Sequence, residues 1–199
     1  MMAFQSIRPL FAVTSITLSI LLTACSSSFV VDADFPRPLV EPIPINGELV
    51  LTDEFSTYVF VEDTETRDDL EVDISNAQVK LFETITGHLF SGSDNPQNLL
   101  VITPSLEDFQ YAVPRETRAE IYEIWLKYRV QVMTKDGEPI ADWLITGYGK
   151  TPTAFMKSRQ QSIDLATTIA LRDVGGQLSI GFGRQPDIRA WLDDREEQI

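Results

Sequence analysis

Cysteine occurs once in the 199 residues, at position 25, and histidine once, at position 88. A single thiol cannot form an internal disulfide, so the chain must hold its fold together by burial alone. Any Ser-His-Asp or metal-dependent chemistry would have to pass through His88, in TGHLF beside an expected turn. A lone histidine is more often a surface or hydrogen-bonded residue. None of the G-x-S-x-G, H-E-x-x-H, S-x-x-K or P-loop patterns occurs. Basic residues are also scarce, 16 against 30 acidic ones, for a formal net charge of −14. Such a surface repels nucleic acid and anionic headgroups. The apolar run from Leu10 to Leu22 spans 13 residues, short of the roughly 20 that a spanning helix needs.

What is present begins with the parts of an export signal. Met1 to Pro9 carry one charged side chain, Arg8, and the uncharged run LFAVTSITLSILL follows. Leu22, Thr23, Ala24 and Cys25 then read as an aliphatic residue, two small residues and a cysteine. Small residues let a peptidase approach the backbone, and a thiolate is the nucleophile that accepts a diacylglyceryl group. This LTAC motif resembles the lipobox of bacterial lipoproteins. The resemblance implies a signal peptide over 1–24, lipidation of Cys25 (palmitate among the acyl chains) and membrane attachment through that anchor. Stable attachment needs more than one chain, at roughly 0.8 kcal/mol per buried methylene. By the sorting rule of enteric bacteria, Ser26 rather than Asp after the cysteine points to the outer membrane, facing the periplasm. Removal of the signal would leave 15 basic against 30 acidic residues.

Residues 25–46 contain Pro36, Pro38, Pro42 and Pro44, a spacing that predicts an extended tether. A single periplasmic domain is expected over 47–199. Glu48–Leu51 and Thr57–Val61 are strand-like. Glu62–Asp73 holds seven acids and one arginine; it lacks the alternating ligands of a Ca²⁺ loop and reads as solvated loop. Ala77–Ile85 is ambiguous between helix and strand, and Leu99–Ile102 and Phe109–Val113 read as two strands. The alternation Tyr122, Ile124, Leu126, Tyr128, Val130, Val132 predicts a long strand with one buried face. An Asp136-Gly137 turn returns it through Ile140–Tyr148, giving a hairpin over about 120–149.

An amphipathic helix over about 153–174 is capped by Thr151 or Thr153. Its stripe Ile163, Ala166, Ala170, Val174 faces the sheet, and the two alanines let it lie close. Gly175 and Gly176 are its expected stops, followed by a strand at Gln177–Phe182 and a short C-terminal helix from Pro186. Together these predict an α+β fold with a mostly antiparallel sheet. Residues 117–182, with EIYEIWLKYRVQV, a D-G turn, GYG and SIDLATTIALRDVG, are similar in element order to small periplasmic α/β lipoproteins. These are the YajG-type lipoproteins, the auxiliary lipoproteins of ABC-type transport systems and the lipopolysaccharide-assembly lipoprotein. That likeness implies an envelope accessory role and assigns no site residue.

Candidate interaction residues are Trp125 and Trp143, which form an aromatic anchor if both are exposed across the hairpin. With Tyr148 and Phe155 they could instead line an apolar pocket or simply pack the core. Glu120 and Glu123 have the best local context for carboxylate chemistry, which needs two acids about 5–9 Å apart. Neither a metal nor a cofactor is expected. The leading expectation is a non-enzymatic accessory lipoprotein with an envelope protein partner and no nucleic acid. The alternatives are a lipid- or glycan-binding module, with an apolar slot between helix and sheet, and a carboxylate-dependent glycan hydrolase.

Overall fold

Ile124, Leu126, Tyr128, Val130 and Val132 alternate with neighbours of which three are charged or amide-bearing, and a period of two puts all five on one side of a pleated ribbon. In the computed structural model, which describes residues 27–62, 69–117 and 119–196, they lie in β6 (Ile121–Thr134) and are all buried. Gly137 takes φ 84° in the following turn, a left-handed conformation that a missing Cβ allows at little cost. β7 (Pro139–Pro152) returns antiparallel, with Trp125 opposite Tyr148 and Val130 opposite Trp143.

On its other side β6 pairs with β5 (Leu99–Ala112), and β2 (Asn46–Leu49) adds in parallel, giving the order β2-β5-β6-β7. The two strands expected at 99–102 and 109–113 are thus the ends of one. The register shifts between Leu106 and Asp108. A bulge there changes the parity, so Leu100 and Ile102 before it and Phe109 and Tyr111 after it all face the core.

A smaller sheet orders β1 (Ser27–Val30), β4 (Leu70–Asp73) and β3 (Val59–Val61) as β1-β4-β3. Phe60 of β3 stacks on Phe109 at 4.5 Å and meets Tyr111 edge-on at 5.7 Å, joining the two sheets. Two expectations change here. The last part of the acidic stretch is a central strand, with Leu70 and Val72 buried, while residues 63–68 lie outside the described residues. The folded body also begins at Ser27 rather than Gly47. β1 pairs in parallel with β4, and Val31, Ala33 and Ile45 are buried in the common core. The segment foreseen as a tether therefore belongs to the folded body, held in the core by Val31, Ala33 and Ile45.

The helices cover the core face of the larger sheet. α1 (Asp53–Ser56) is capped by Thr52, whose hydroxyl accepts from the Phe55 amide at 3.1 Å. α2 (Ser75–Leu89) settles the ambiguity at 77–85 in favour of helix, with the Asp73 carboxylate accepting from the Ser75 amide at 2.9 Å. α3 (Pro114–Thr117) is a single turn. α4 (Arg159–Gly181) starts later than expected, because Thr151 and Pro152 end β7 and Thr153–Phe155 form a 3-10 turn. Ser158 caps it, its hydroxyl accepting from the Gln161 amide at 3.2 Å. α5 (Pro186–Glu196), the short helix expected from Pro186, buries Ile188 and packs Trp191 and Leu192 against the core.

α4 also runs through Gly175, Gly176 and the segment read as a strand at 177–182. Glycine in a helix interior costs about 1 kcal/mol relative to alanine, and here packing outweighs it. A Cβ at Gly175 would stand 2.8 Å from Leu81 of α2, so the two helices cross where that carbon is missing. Leu178 and Ser179 extend the buried stripe beyond the glycines. The expected close approach of Ala166 and Ala170 is present, and its other half is in β7. A Cβ at Gly149 would overlap the Ala166 carbonyl, and one at Gly147 the Ala170 carbonyl. Helix backbone therefore lies directly on strand backbone at Gly147 and Gly149.

Candidate functional site

An antiparallel sheet can leave one face to water, and β5, β6 and β7 do so. Their outward residues form cross-strand rows: Gln110, Trp125 and Tyr148; Asp108, Lys127 and Thr146; Ser105, Arg129 and Leu144. Most are polar or charged. Arg129 ties its row to its neighbours, reaching Asp142 at 3.0 Å and Glu107 at 3.4 Å. Trp125 and Tyr148 are the aromatic exceptions, half-buried against each other with ring centroids 5.4 Å apart. A concavity of about 310 Å³ beside them is lined by Asp108, Gln110, Trp125, Lys127 and Thr146.

Tyr148 is fixed from two directions. Its hydroxyl donates to the Glu123 carboxylate, and its backbone amide donates to Asp173 of α4 at 3.0 Å. Gln177 of α4 donates to the Thr146 carbonyl at 2.9 Å. These two α4 side chains cover the outer edge of β7, which otherwise offers unpaired backbone groups to another strand. The bond to Glu123, followed by desolvation, pushes the Tyr148 phenol up to about 12. Because the folded value lies above the unfolded one near 10, the contribution of this bond is complete below pH 10. It is lost as pH rises through about 12. An ultraviolet pH titration compared with Tyr148→Phe should show one tyrosine ionising near pH 12, and Glu123→Gln should return it toward 10. A Tyr148 transition near 10 in the unmodified chain would disprove the pairing.

The anticipated tryptophan pair is not brought together. Trp143 lies five residues from Tyr148 along β7, on the opposite face, with Ile145, Gly147 and Gly149. It meets Phe182 edge-on at 6.0 Å and packs against the core. Only Trp125 of the two belongs to the open face. Of the other aromatics proposed with them, Tyr148 joins Trp125, and Phe155 belongs to the 3-10 turn after β7. Glu120 occupies a left-handed position, φ 49°, just before β6, while the Glu123 carboxylate is engaged by Tyr148.

His88 sits in the last turn of α2 rather than in a turn between elements, its Nδ1 2.8 Å from the Thr84 carbonyl oxygen. Among the described residues no group of three His, Cys, Asp or Glu could hold a metal ion, and no helix is long and apolar enough to cross a membrane. Leu22, Thr23, Ala24 and Cys25 lie outside the described residues. The Glu123–Tyr148 bond and the Asp173 and Gln177 edge cover were missed by sequence reasoning. The even spacing of Trp143, Ile145, Gly147 and Gly149 was a usable sign that Trp143 faces inward.

No protein-family model matches the sequence, and comparison with curated proteins gives no significant match. Among solved structures, protein XCC0632 of Xanthomonas campestris, assigned to the family DUF330, aligns with a TM-score of 0.53 at 6% identity. The alignment covers 87% of this chain and 100% of that one. This chain shares that fold. A minor lipoprotein of Acinetobacter baumannii aligns at a TM-score of 0.44 and 13% identity, over 72% of this chain and 94% of its own. A candidate lipoprotein of Caulobacter crescentus aligns at 0.42 and 9% identity, over 75% and 91%.

Proposed function

We propose that the protein is a bacterial lipoprotein, anchored through an acylated Cys25 in the outer membrane and facing the periplasm. Its folded body holds a protein partner of an envelope assembly or transport complex and catalyses no reaction. The observation that carries this reading is the LTAC motif at Leu22–Cys25, in which the only cysteine of the chain stands at the acylation position behind an apolar run. The likeness in element order between residues 117–182 and small periplasmic α/β lipoproteins supports it.

The body offers a suitable contact surface. Trp125 is a rigid, half-buried aromatic with charged neighbours around it, the composition that anchors partner surfaces. At Gly147 and Gly149 the backbones of α4 and β7 touch, which leaves no room at those positions for the ligand of a lipid- or glycan-binding module. Glu123 would have to give up Tyr148 to serve a hydrolase.

In-cell crosslinking of the tagged full chain, with mass spectrometry of what co-purifies from outer membranes, tests the proposal. The unmodified chain should capture one recurrent envelope complex. Cys25→Ala should leave the membrane fraction and lose that complex. Trp125→Ala should stay membrane-bound and weaken capture by roughly tenfold or more, the scale of a buried aromatic anchor. Retention of Cys25→Ala in membranes would refute the anchor. A stoichiometric glycan or lipid with no protein partner would replace the accessory role with ligand binding.

A further inference from the structure

Residues 35–42 cross the outer side of α2 and α4 as a strap clamped at both ends. At one end Asp34 pairs with Lys80 of α2, and Arg172 of α4 donates to the Asp34 carbonyl at 3.3 Å. At the other, the Ile43 amide donates to the Leu89 carbonyl at 2.9 Å, and the Ser91 amide to the Ile43 carbonyl at 2.9 Å. Prolines 36, 38 and 42 keep the span extended.

Beneath it lies a cleft of about 340 Å³, within the range of small-molecule sites. Its walls are aliphatic, Leu81 and Ile85 from α2 and Ile180 from α4, and Leu39 on the strap is fully exposed beside it. Gly176 also borders the cleft, and a Cβ built there would meet nothing within 4 Å. The charged side chains that line it among the described residues are Arg37 and Arg172. In a chain with 30 acids and 16 bases, an apolar cleft whose charged lining is wholly cationic selects for a particular chemistry.

We infer that this cleft binds a free anionic amphiphile, a single aliphatic chain laid between the strap and the two helices with its carboxylate or phosphate at Arg37 and Arg172. Aliphatic walls reward burial of the chain. Two guanidinium groups, with fork geometry suited to a carboxylate or phosphate, provide the head contact. The cleft lies on the far side of α4 from β7, so occupancy leaves the Trp125 face open. The inference does not depend on how the protein is anchored.

The test uses the full chain in phosphatidylcholine nanodiscs, with a diazirine-bearing palmitate, the corresponding alcohol, and a diazirine-bearing phosphatidylcholine as separate probes. Adducts are mapped by mass spectrometry. The palmitate probe should label residues 35–40 and Ile180. Gly176→Leu fills the cleft and should abolish that labelling while leaving the melting temperature equal or higher, since a helix-interior glycine is replaced by a good helix former. Arg37→Gln and Arg172→Gln should each weaken it roughly tenfold, the scale of a charge-assisted contact. Labelling that survives Gly176→Leu would overturn the site. Equal labelling by the alcohol would overturn the role of the arginines. Labelling by the phosphatidylcholine probe at the same residues would show that this face sits in the bilayer, which also overturns it.

Discussion

Gly149→Val should destabilise the protein by about 3 kcal/mol and lower its melting temperature by roughly 10 °C, given about 2–4 °C per kcal/mol for a chain of this size. The cost comes from backbone, not from a movable side chain. The new Cβ overlaps the Ala166 carbonyl and approaches the Ala170 amide, and both are fixed in the hydrogen-bond ladder of α4. α4 would have to lift from β7 along its length. That would also withdraw Asp173 and Gln177 from the strand edge they cover. Gly176→Ala is the informative comparison, because its Cβ points into open space. It should be neutral or stabilising by about 0.5–1 kcal/mol. Urea denaturation of the two variants measures the difference. If Gly149→Val is as stable as the unmodified chain, the backbone contact between α4 and β7 is wrong.

Phe82→Ala should cost about 4 kcal/mol, the usual scale for emptying a large aromatic site in a core. Phe82 of α2 is fully buried and packs on Phe55 of α1 and Tyr128 of β6, with ring centroids 5.4 Å away in each case. Its removal opens a cavity where α1, α2 and the sheet meet. Tyr128→Phe should cost less, about 1–2 kcal/mol, and for another reason. The Tyr128 hydroxyl donates to Gln78 Oε1 at 2.9 Å, and Gln78 in turn donates to the Phe55 carbonyl. Deleting the hydroxyl leaves one fully buried amide oxygen without that partner. The double change Tyr128→Phe with Gln78→Met should lose less than the two single changes summed, which equilibrium unfolding of Tyr128→Phe, Gln78→Met and the double variant can decide. Strictly additive losses would show that the hydroxyl and the amide do not interact.

The hairpin of β6 and β7 was legible in the sequence because one face is wet and the other dry, so the alternation survives in the residue order. The stripe on α4 was legible for the same reason. Its end was not. Gly175 and Gly176 are ordinary stop signals locally, and what carries the helix through Gly175 is its contact with Leu81, nearly a hundred residues away in the chain. The bulge in β5 hid a single strand behind a change of parity. β1 carries no local sign of its partner, since Ser28 pairs with Glu71 across a long connection. The open face was half legible: Trp125 was singled out because it breaks the polar side of an alternating strand. Trp143 shares its aromatic character, but its parity with Ile145, Gly147 and Gly149 puts it on the inner face. The cleft under the strap had no local signature, since its walls come from three separate segments.

The register of β1 has a consequence for reach. Only Ser26 stands between Cys25 and Ser27, which is already opposite Leu70 in the small sheet. At about 3.3–3.6 Å per extended residue, an acyl anchor at Cys25 would leave roughly 7 Å of slack between the lipid and the first paired strand. The body could neither swing out on a leash nor search the space between two membranes. It would stand on the bilayer like a post set directly in the ground, and whatever engages its open sheet would have to arrive at that height.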